Sequence, residues 1–387
     1  MNNGKKATSL PPRKEEKDVT LLIKGNTNQL STKSLPSGRF GGGLDSFYMR
    51  RCLQLARNGQ QNAQPNPMVG AVVVCNGRII GEGYHVRCGE GHAEVNALAS
   101  VKQEDEHLLK ESTIYVSLEP CSHYGKTPPC ADLIISKGLK RCVVGCIDPF
   151  AQVQGRGIQK LRDAGIEVTV GVLAEECQAL NKRFMTFHQQ KRPFVTLKWA
   201  RTQDGVMGVK GERLIISNTY TQMLCHKRRT EHQAILVGRK TLEEDAPTLN
   251  VRAWIGKNPQ PIVLGSHVKN LPQGWWSFPT VEDLLSALYE KGVQTLLVEG
   301  GRTTLQAFID KGMWDEAFVE WGDFSWAENP EGKTRETVKV PVWRDAERIA
   351  DERVMGRHIE HWKHSQPLND CVFQTDSQLN LRGISRQ

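Results

Sequence analysis

From Asp45 onward the apolar residues fall into two alternating rhythms. Tyr48, Cys52, Leu53 and Ala56 recur at helical spacing, whereas 71–75 is an unbroken apolar run closed by Asn76-Gly77. That dipeptide favours a two-residue hairpin turn, so 78–81 is expected to return as the partner strand. Helical patterns over 92–100, 131–136, 157–164 and 174–189 then alternate with strand patterns over 114–118, 141–147 and 166–172. Such alternation predicts an α/β domain with a mostly parallel sheet. Arg192-Pro193 punctuates the chain, and a second alternation follows. Its strands are expected at 195–200, 234–237, 261–264, 295–298 and 316–321, and its helices at 219–231, 281–291 and 303–311. Leu284, Leu285, Leu288 and Tyr289 make one apolar face of the 281–291 helix, which Gly292 ends.

The chain has 387 residues, enough for two to three domains at roughly 150 residues each. Residues 1–43 are polar, aperiodic and end in Gly41-Gly42-Gly43, which reads as an unstructured extension. Domains are expected over 44–190 and 191–365, with a polar tail over 366–387. No apolar run is long enough to span a membrane, and none follows Lys5 and Lys6 as a secretory signal would require. Ten cysteines are too few for a secreted disulfide scaffold. The expected setting is therefore a reducing, cytoplasmic one, with no membrane partner. The formal charge of +8 suits a protein that handles phosphates or nucleic acid, and equally a plain basic surface. Basic blocks such as Lys227-Arg228-Arg229 are short, and no long basic arm is present. No nucleic-acid partner is expected.

One constellation changes this picture. His92 and Glu94 stand two apart at the start of a predicted helix. Glu119-Pro120-Cys121 follows a predicted strand, and Pro129-Cys130 opens another helix. One histidine and two cysteines supply three ligands to a tetrahedral Zn²⁺, leaving a fourth position for water. Zinc lowers the pKa of such a water to roughly 7. Glu94 lies near the metal without ligating it, placed to pass a proton from that water to a leaving amine. Two helix starts aimed at one metal help keep both thiols deprotonated. A His-x-Glu followed by a Pro-Cys pair is the pattern of zinc nucleobase deaminases, although here eight residues separate the cysteines rather than two.

These residues resemble the bifunctional deaminase–reductase family of riboflavin biosynthesis. The resemblance runs from about Asp45 to His364. It is carried by 65–70 (PNPMVG), Gly83-Tyr84-His85, His92-Ala93-Glu94, 118–130 (LEPCSHYGKTPPC) and Gly155-Arg156-Gly157. It implies a cytidine-deaminase-like domain followed by a dihydrofolate-reductase-like α/β domain. The first would remove the exocyclic amine of a diaminopyrimidinone ribosylamine 5′-phosphate, a small phosphorylated pyrimidine. It also implies substrate contacts from Asn66, His85, Lys126 and Asp148. Read alone, Asn66 fits a turn cap, His85 a satisfied loop histidine and Lys126 a solvated charge equally well. Gly125-Lys126-Thr127 is not a P-loop, because Pro120 stands where its first glycine is required.

For the second half the resemblance implies NADPH-dependent reduction of the ribosyl chain to ribityl, in a homo-oligomer. Its pieces are Lys198, Asp204-Gly205, Val237-Gly238 with Thr241, Asp245, Arg252 and Glu299-Gly300-Gly301. It places Arg229, Leu249, Arg252 and Glu299 on the substrate, and Ala200, Thr241, Asp245, Gly300 and Gly301 on the cofactor. Glu299-Gly300-Gly301 also has its own physical reading: a strand entering a helix through two glycines, where backbone N–H groups suit a phosphate. A tight strand-to-helix turn explains it equally well, and a solvated helix face is the alternative for Arg229. Leu214, Asn218 and Ala246 depart from the family pattern, and the segment between Leu264 and Glu299 is short. An alternative reading follows from these departures, in which the second half serves only oligomerisation or substrate capture.

Overall fold

A computed structural model describes residues 41–124, 128–150, 154–328 and 335–365. The first segment begins as a helix, α1 (Gly41–Ala56), so the three glycines expected in the unstructured extension start an element instead. The rest of that extension, the 366–387 tail and Lys126 lie outside the described residues.

The hairpin forms as its turn residues require. β1 (Gly70–Cys75) and β2 (Arg78–Tyr84) pair antiparallel. Asn76 and Gly77 both take positive φ, 49° and 77°, the pairing that a type I′ turn demands. Then follow α2 (Ala93–Ala99), β3 (Thr113–Leu118), α3 (Cys130–Ser136), β4 (Arg141–Cys146), α4 (Arg156–Asp163) and β5 (Glu167–Val170). The sheet order is β2-β1-β3-β4-β5. Only the β3-β4 and β4-β5 pairings are parallel; β1 runs antiparallel to both neighbours. The sheet is thus half parallel rather than mostly parallel, because the short Asn76-Gly77 turn leaves no room for a crossover helix.

Every residue of β1 is buried, as expected of a strand covered on both faces. One face packs Val73, Ile114 and Val144 against Ala97, Ile134 and Leu161 of α2, α3 and α4. The other packs Val72, Tyr115 and Val143 against Met49 and Cys52 of α1. Met185 and Cys177 complete that face from two short helices, α5 (Ala174–Leu180) and α6 (Lys182–Gln190). The single helix expected over 174–189 is broken at Asn181. Its side chain accepts a hydrogen bond from the Met68 N–H and donates one to the Met68 carbonyl, both at 2.8 Å. That clasp fixes the loop leading into β1.

A second sheet begins at β6 (Phe194–Arg201). The elements that follow are β7 (Val206–Val209), which lies outside this sheet, α7 (Thr219–Thr230), β8 (Ala234–Gly238), α8 (Arg239–Asp245), β9 (Gln260–Leu264), β10 (Trp276–Phe278), α9 (Val281–Glu290), β11 (Thr295–Val298), α10 (Arg302–Asp310) and β12 (Glu316–Trp321). The chain closes with β13 (Thr337–Lys339), β14 (Ala346–Val354) and β15 (Arg357–His364). The large sheet has the order β10-β9-β8-β11-β6-β12-β15-β14, parallel up to β12 and antiparallel beyond it. The sequence pattern missed the β14–β15 hairpin. β14 has no fully buried residue, so it carries no apolar alternation to read.

The two sheets share contacts through α6. Arg183 donates to the Glu231 carbonyl at 2.7 Å, Lys182 pairs with Glu316, and the Phe187 and Tyr289 rings lie 4.8 Å apart. Gln294 donates to the Pro65 carbonyl at 2.8 Å, tying the start of β11 to the loop before β1. No helix among the described residues is long and apolar enough to cross a membrane, and all nine described cysteines are unpaired.

Candidate metal centre and a second cleft

Three elements deliver the metal-ligating side chains. His92 caps the N-terminus of α2 in an extended conformation, which throws its ring out beyond the helix. Gly83 lets α2 come this close to β2, since a Cβ there would meet Ala97 N at 2.3 Å. Cys121 follows the last buried residues of β3. Cys130 opens α3 immediately after Pro129. His92 Nδ1 lies 3.6 Å from Cys121 Sγ and 3.4 Å from Cys130 Sγ, and the three ligand atoms fall within 4.8 Å of one another. Zinc bonds of about 2.0 Å to nitrogen and 2.3 Å to sulfur at a tetrahedral angle give an N···S edge of about 3.5 Å. The donor set and its edges therefore fit zinc. The Cys130 thiol and the His92 ring, joined by the Cys130 backbone N–H, hold the Cys121 thiol well below the ordinary thiol range.

Glu94 sits in the first turn of α2 and is 3% exposed. Burial, helped by Cys121, pushes its carboxyl up to about 7. His85 stacks edge-on against His92 with centroids 5.4 Å apart. Its Nδ1 faces the Gly91 carbonyl at 3.1 Å and its Nε2 faces Asn66 Nδ2 at 3.1 Å. A carbonyl only accepts, so Nδ1 carries the proton and Nε2 accepts from the amide. Burial favours this neutral ring by lowering its pKa. Asn66, His85 and His92 are thus linked in one row.

Asp148 is buried nearby in the loop after β4, and burial raises its carboxyl to about 6. It accepts the Phe150 N–H at 2.8 Å and so shapes its own loop. Glu119, which the sequence reading quoted without a role, organises this region. Its carboxylate accepts N–H groups of Asp148, Gly155, Gly157 and Ile158 at 2.9 to 3.4 Å. Burial raises its pKa to about 7, and those four donors oppose the rise. Gly157 is required here, because a Cβ would meet the Pro120 carbonyl at 2.0 Å. The readable signal for Glu119 was a lone carboxylate directly after a buried strand.

The second sheet carries a cavity of about 190 Å³, lined by Lys198, Ala200, Met207, Ile216, Ser217, Glu299 and Gly300 among others. Of the residues assigned by sequence, Ala200, Glu299 and Gly300 line it. Gly301 caps α10, and a Cβ there would lie 3.4 Å from Thr241 Oγ1, so Thr241 flanks the same turn. Four others lie elsewhere. Arg229 makes two hydrogen bonds to Glu299, at 2.7 and 3.0 Å, with both side chains nearly buried. That pairing consumes the fork expected on the substrate phosphate. Leu249 is packed among Ile235, Val237, Val263 and Leu297 in the core. Arg252 is exposed and held by Asn250 Oδ1 at 3.1 Å, and Asp245 is the exposed last residue of α8. These positions owe more to local packing than to the cavity.

Residues 43–146 match the cytidine and deoxycytidylate deaminase zinc-binding region, and residues 193–322 match the RibD C-terminal domain. The riboflavin biosynthesis protein RibD of Aquifex aeolicus is 38% identical over 315 residues, covering 71% of this chain and 86% of that protein. The chain belongs to the bifunctional deaminase–reductase family of riboflavin biosynthesis. The same-named protein of Actinobacillus pleuropneumoniae is 44% identical over 318 residues, covering 72% of this chain and 84% of its own. The crystal structure of the diaminohydroxyphosphoribosylaminopyrimidine deaminase/5-amino-6-(5-phosphoribosylamino)uracil reductase of Thermotoga maritima superposes with a TM-score of 0.73 at 32% identity. That match covers 84% of this chain and 99% of the other. The architecture is therefore a cytidine-deaminase-like domain followed by a RibD C-terminal α/β domain, and the chain is both a deaminase and a reductase. The reading of the second half as non-catalytic gives way to the reductase-family match.

Proposed function

We propose that the chain deaminates 2,5-diamino-6-ribosylamino-4(3H)-pyrimidinone 5′-phosphate in its first domain, 44–190. Its second, 191–365, then reduces the ribosyl chain to ribityl with NADPH. The observation that carries the reading is the pair of His92–cysteine edges at 3.4 and 3.6 Å with buried Glu94 beside them. His92, Cys121 and Cys130 hold the zinc. When bound, zinc supplies a Lewis-acid site at which water becomes nucleophilic near neutral pH. Glu94 takes a proton from the attacking water and returns it to the departing amine, so that water and the C–NH₂ group become a carbonyl and ammonia. Asn66 and His85 bind the pyrimidine edge beside it. Asp148 shapes the neighbouring loop, and Lys126, which stands between the two cysteines in sequence, binds the base or phosphate.

In the second domain, Gly300, Gly301, Thr241 and Ala200 hold NADPH, with the first N–H groups of α10 facing its phosphate. The nicotinamide supplies the hydride for C1′ of the sugar. Glu299, oriented by Arg229, and Lys198 face the substrate. Arg252 remains the exposed cation for its phosphate. The unpaired cysteines support a reducing, cytoplasmic setting, and a homo-oligomer is part of the reading.

Metal analysis with activity tests the site. The purified protein is expected to carry about one zinc per chain. Cys121→Ser should lose the zinc and ammonia release, yet still oxidise NADPH when given the deaminated pyrimidine. Full zinc content and parental ammonia release in that variant would overturn the assignment.

A further inference from the structure

Lys198 stands at the centre of the large sheet, on β6, with a carboxylate on each neighbouring strand. Glu299 directly follows β11 on one side, and Glu320 lies on β12 on the other, opposite Ala200 in register. The two carboxylates are answered differently. Glu299 takes both hydrogen bonds of the Arg229 fork and accepts from the Cys225 thiol at 3.2 Å. Glu320 accepts from the Ser217 hydroxyl at 2.6 Å and the Thr221 hydroxyl at 2.5 Å. Its nearest cation is the Lys198 ammonium at 4.0 Å. Its side chain is only 4% exposed. A buried carboxylate stays charged only with such partners, and the hydroxyls alone carry no charge. Lys198 and Ser217 both line the cavity, so this carboxylate sits behind the wall that the substrate meets.

We propose that Glu320 is a positioning residue of the reductase step: it anchors the Lys198 ammonium at the cleft wall and fixes Ser217 and the first turn of α7 around it. This deepens the reading of the second cleft and rests on it. The charged and titratable groups around Lys198 are Glu299 from β11, Glu320 from β12, and Cys225 and Arg228 from α7. Both carboxylates act on Lys198, Glu299 ahead of Glu320, but Arg229 already bridges Glu299, whereas Glu320 pairs with Lys198 itself at 4.0 Å.

The test follows hydride transfer from NADPH in the full-length zinc-loaded enzyme, supplied with the deaminated pyrimidine, across pH. Glu320→Gln keeps the shape and removes the charge. The alkaline limb of kcat, where Lys198 loses its proton, should move down by about 1 to 3 pH units. The KM for NADPH should hold. Thr221→Val removes one clamping hydroxyl and keeps the charge, so its limb should stay in place. Ammonia release by the same chain reports that each variant is folded. In a Lys198→Met background, Glu320→Gln should cause no further loss. An unmoved limb and parental rate in Glu320→Gln, with Lys198→Met inactive, would overturn the role of Glu320 and leave the cleft reading standing. A parental rate in Lys198→Met would instead overturn the cleft reading itself.

Discussion

Glu94 illustrates how one side chain's surroundings set its task. It is carried on α2, one residue past the start of the helix that His92 caps, so its carboxyl reaches the metal centre without completing the ligand set. Glu94→Gln preserves the shape and loses the ability to take up and release a proton. Ammonia release should fall roughly 10²- to 10⁴-fold with zinc content unchanged, measured side by side. Parental deamination in that variant would remove Glu94 from the proton path. At this scale the sequence was most legible for the first site. His92, Glu94, Cys121 and Cys130 announce themselves by residue type at fixed offsets, and the fold only has to bring three short segments together. The inward turn of Arg229 was not legible, because nothing in Lys227-Arg228-Arg229 says which cation faces inside. A buried glutamate seventy residues further on decides it.

Elements that the pattern misplaced share a physical cause. α5 and α6 look like one helix because their apolar residues keep a single period. Asn181 interrupts it to bond the Met68 backbone, a partner 113 residues away that no local pattern contains. Elsewhere a buried histidine joins two elements of the second sheet. His232 bonds the Arg228 carbonyl at the end of α7 through Nδ1 at 2.7 Å, and Thr196 of β6 through Nε2 at 2.9 Å. Burial, reinforced by Arg183, depresses its pKa from 6.5 to about 3. The folded state therefore holds the ring neutral while the unfolded chain binds a proton below 6.5. Its contribution is intact above pH 6.5 and is lost as pH falls from there toward 3, at roughly 1 kcal/mol per pH unit. Urea unfolding at several pH values should show that slope. His232→Gln should be less stable at neutral pH with a shallower acid slope, and an equal slope would contradict the assignment.

On the scale of the whole molecule, two sheets divide two chemistries within one chain. The α/β alternation made most strands of both large sheets legible from sequence. The second cleft was not, because Lys198, Glu299 and Glu320 meet only through the order β11-β6-β12, which strand patterns do not encode. Contacts such as Gln294 to Pro65 and Lys182 to Glu316 then couple the halves. The two proposed reactions are consecutive, with zinc-site hydrolysis preceding hydride transfer. The most direct test gives the enzyme the diamino substrate and NADPH and records ammonia and nicotinamide absorbance together, before and after the zinc is stripped. Ammonia should appear first, NADPH oxidation should lag behind it, and stripping should stop both; deaminated pyrimidine added afterwards should restore NADPH oxidation alone. NADPH oxidation at full rate without any ammonia would contradict the account.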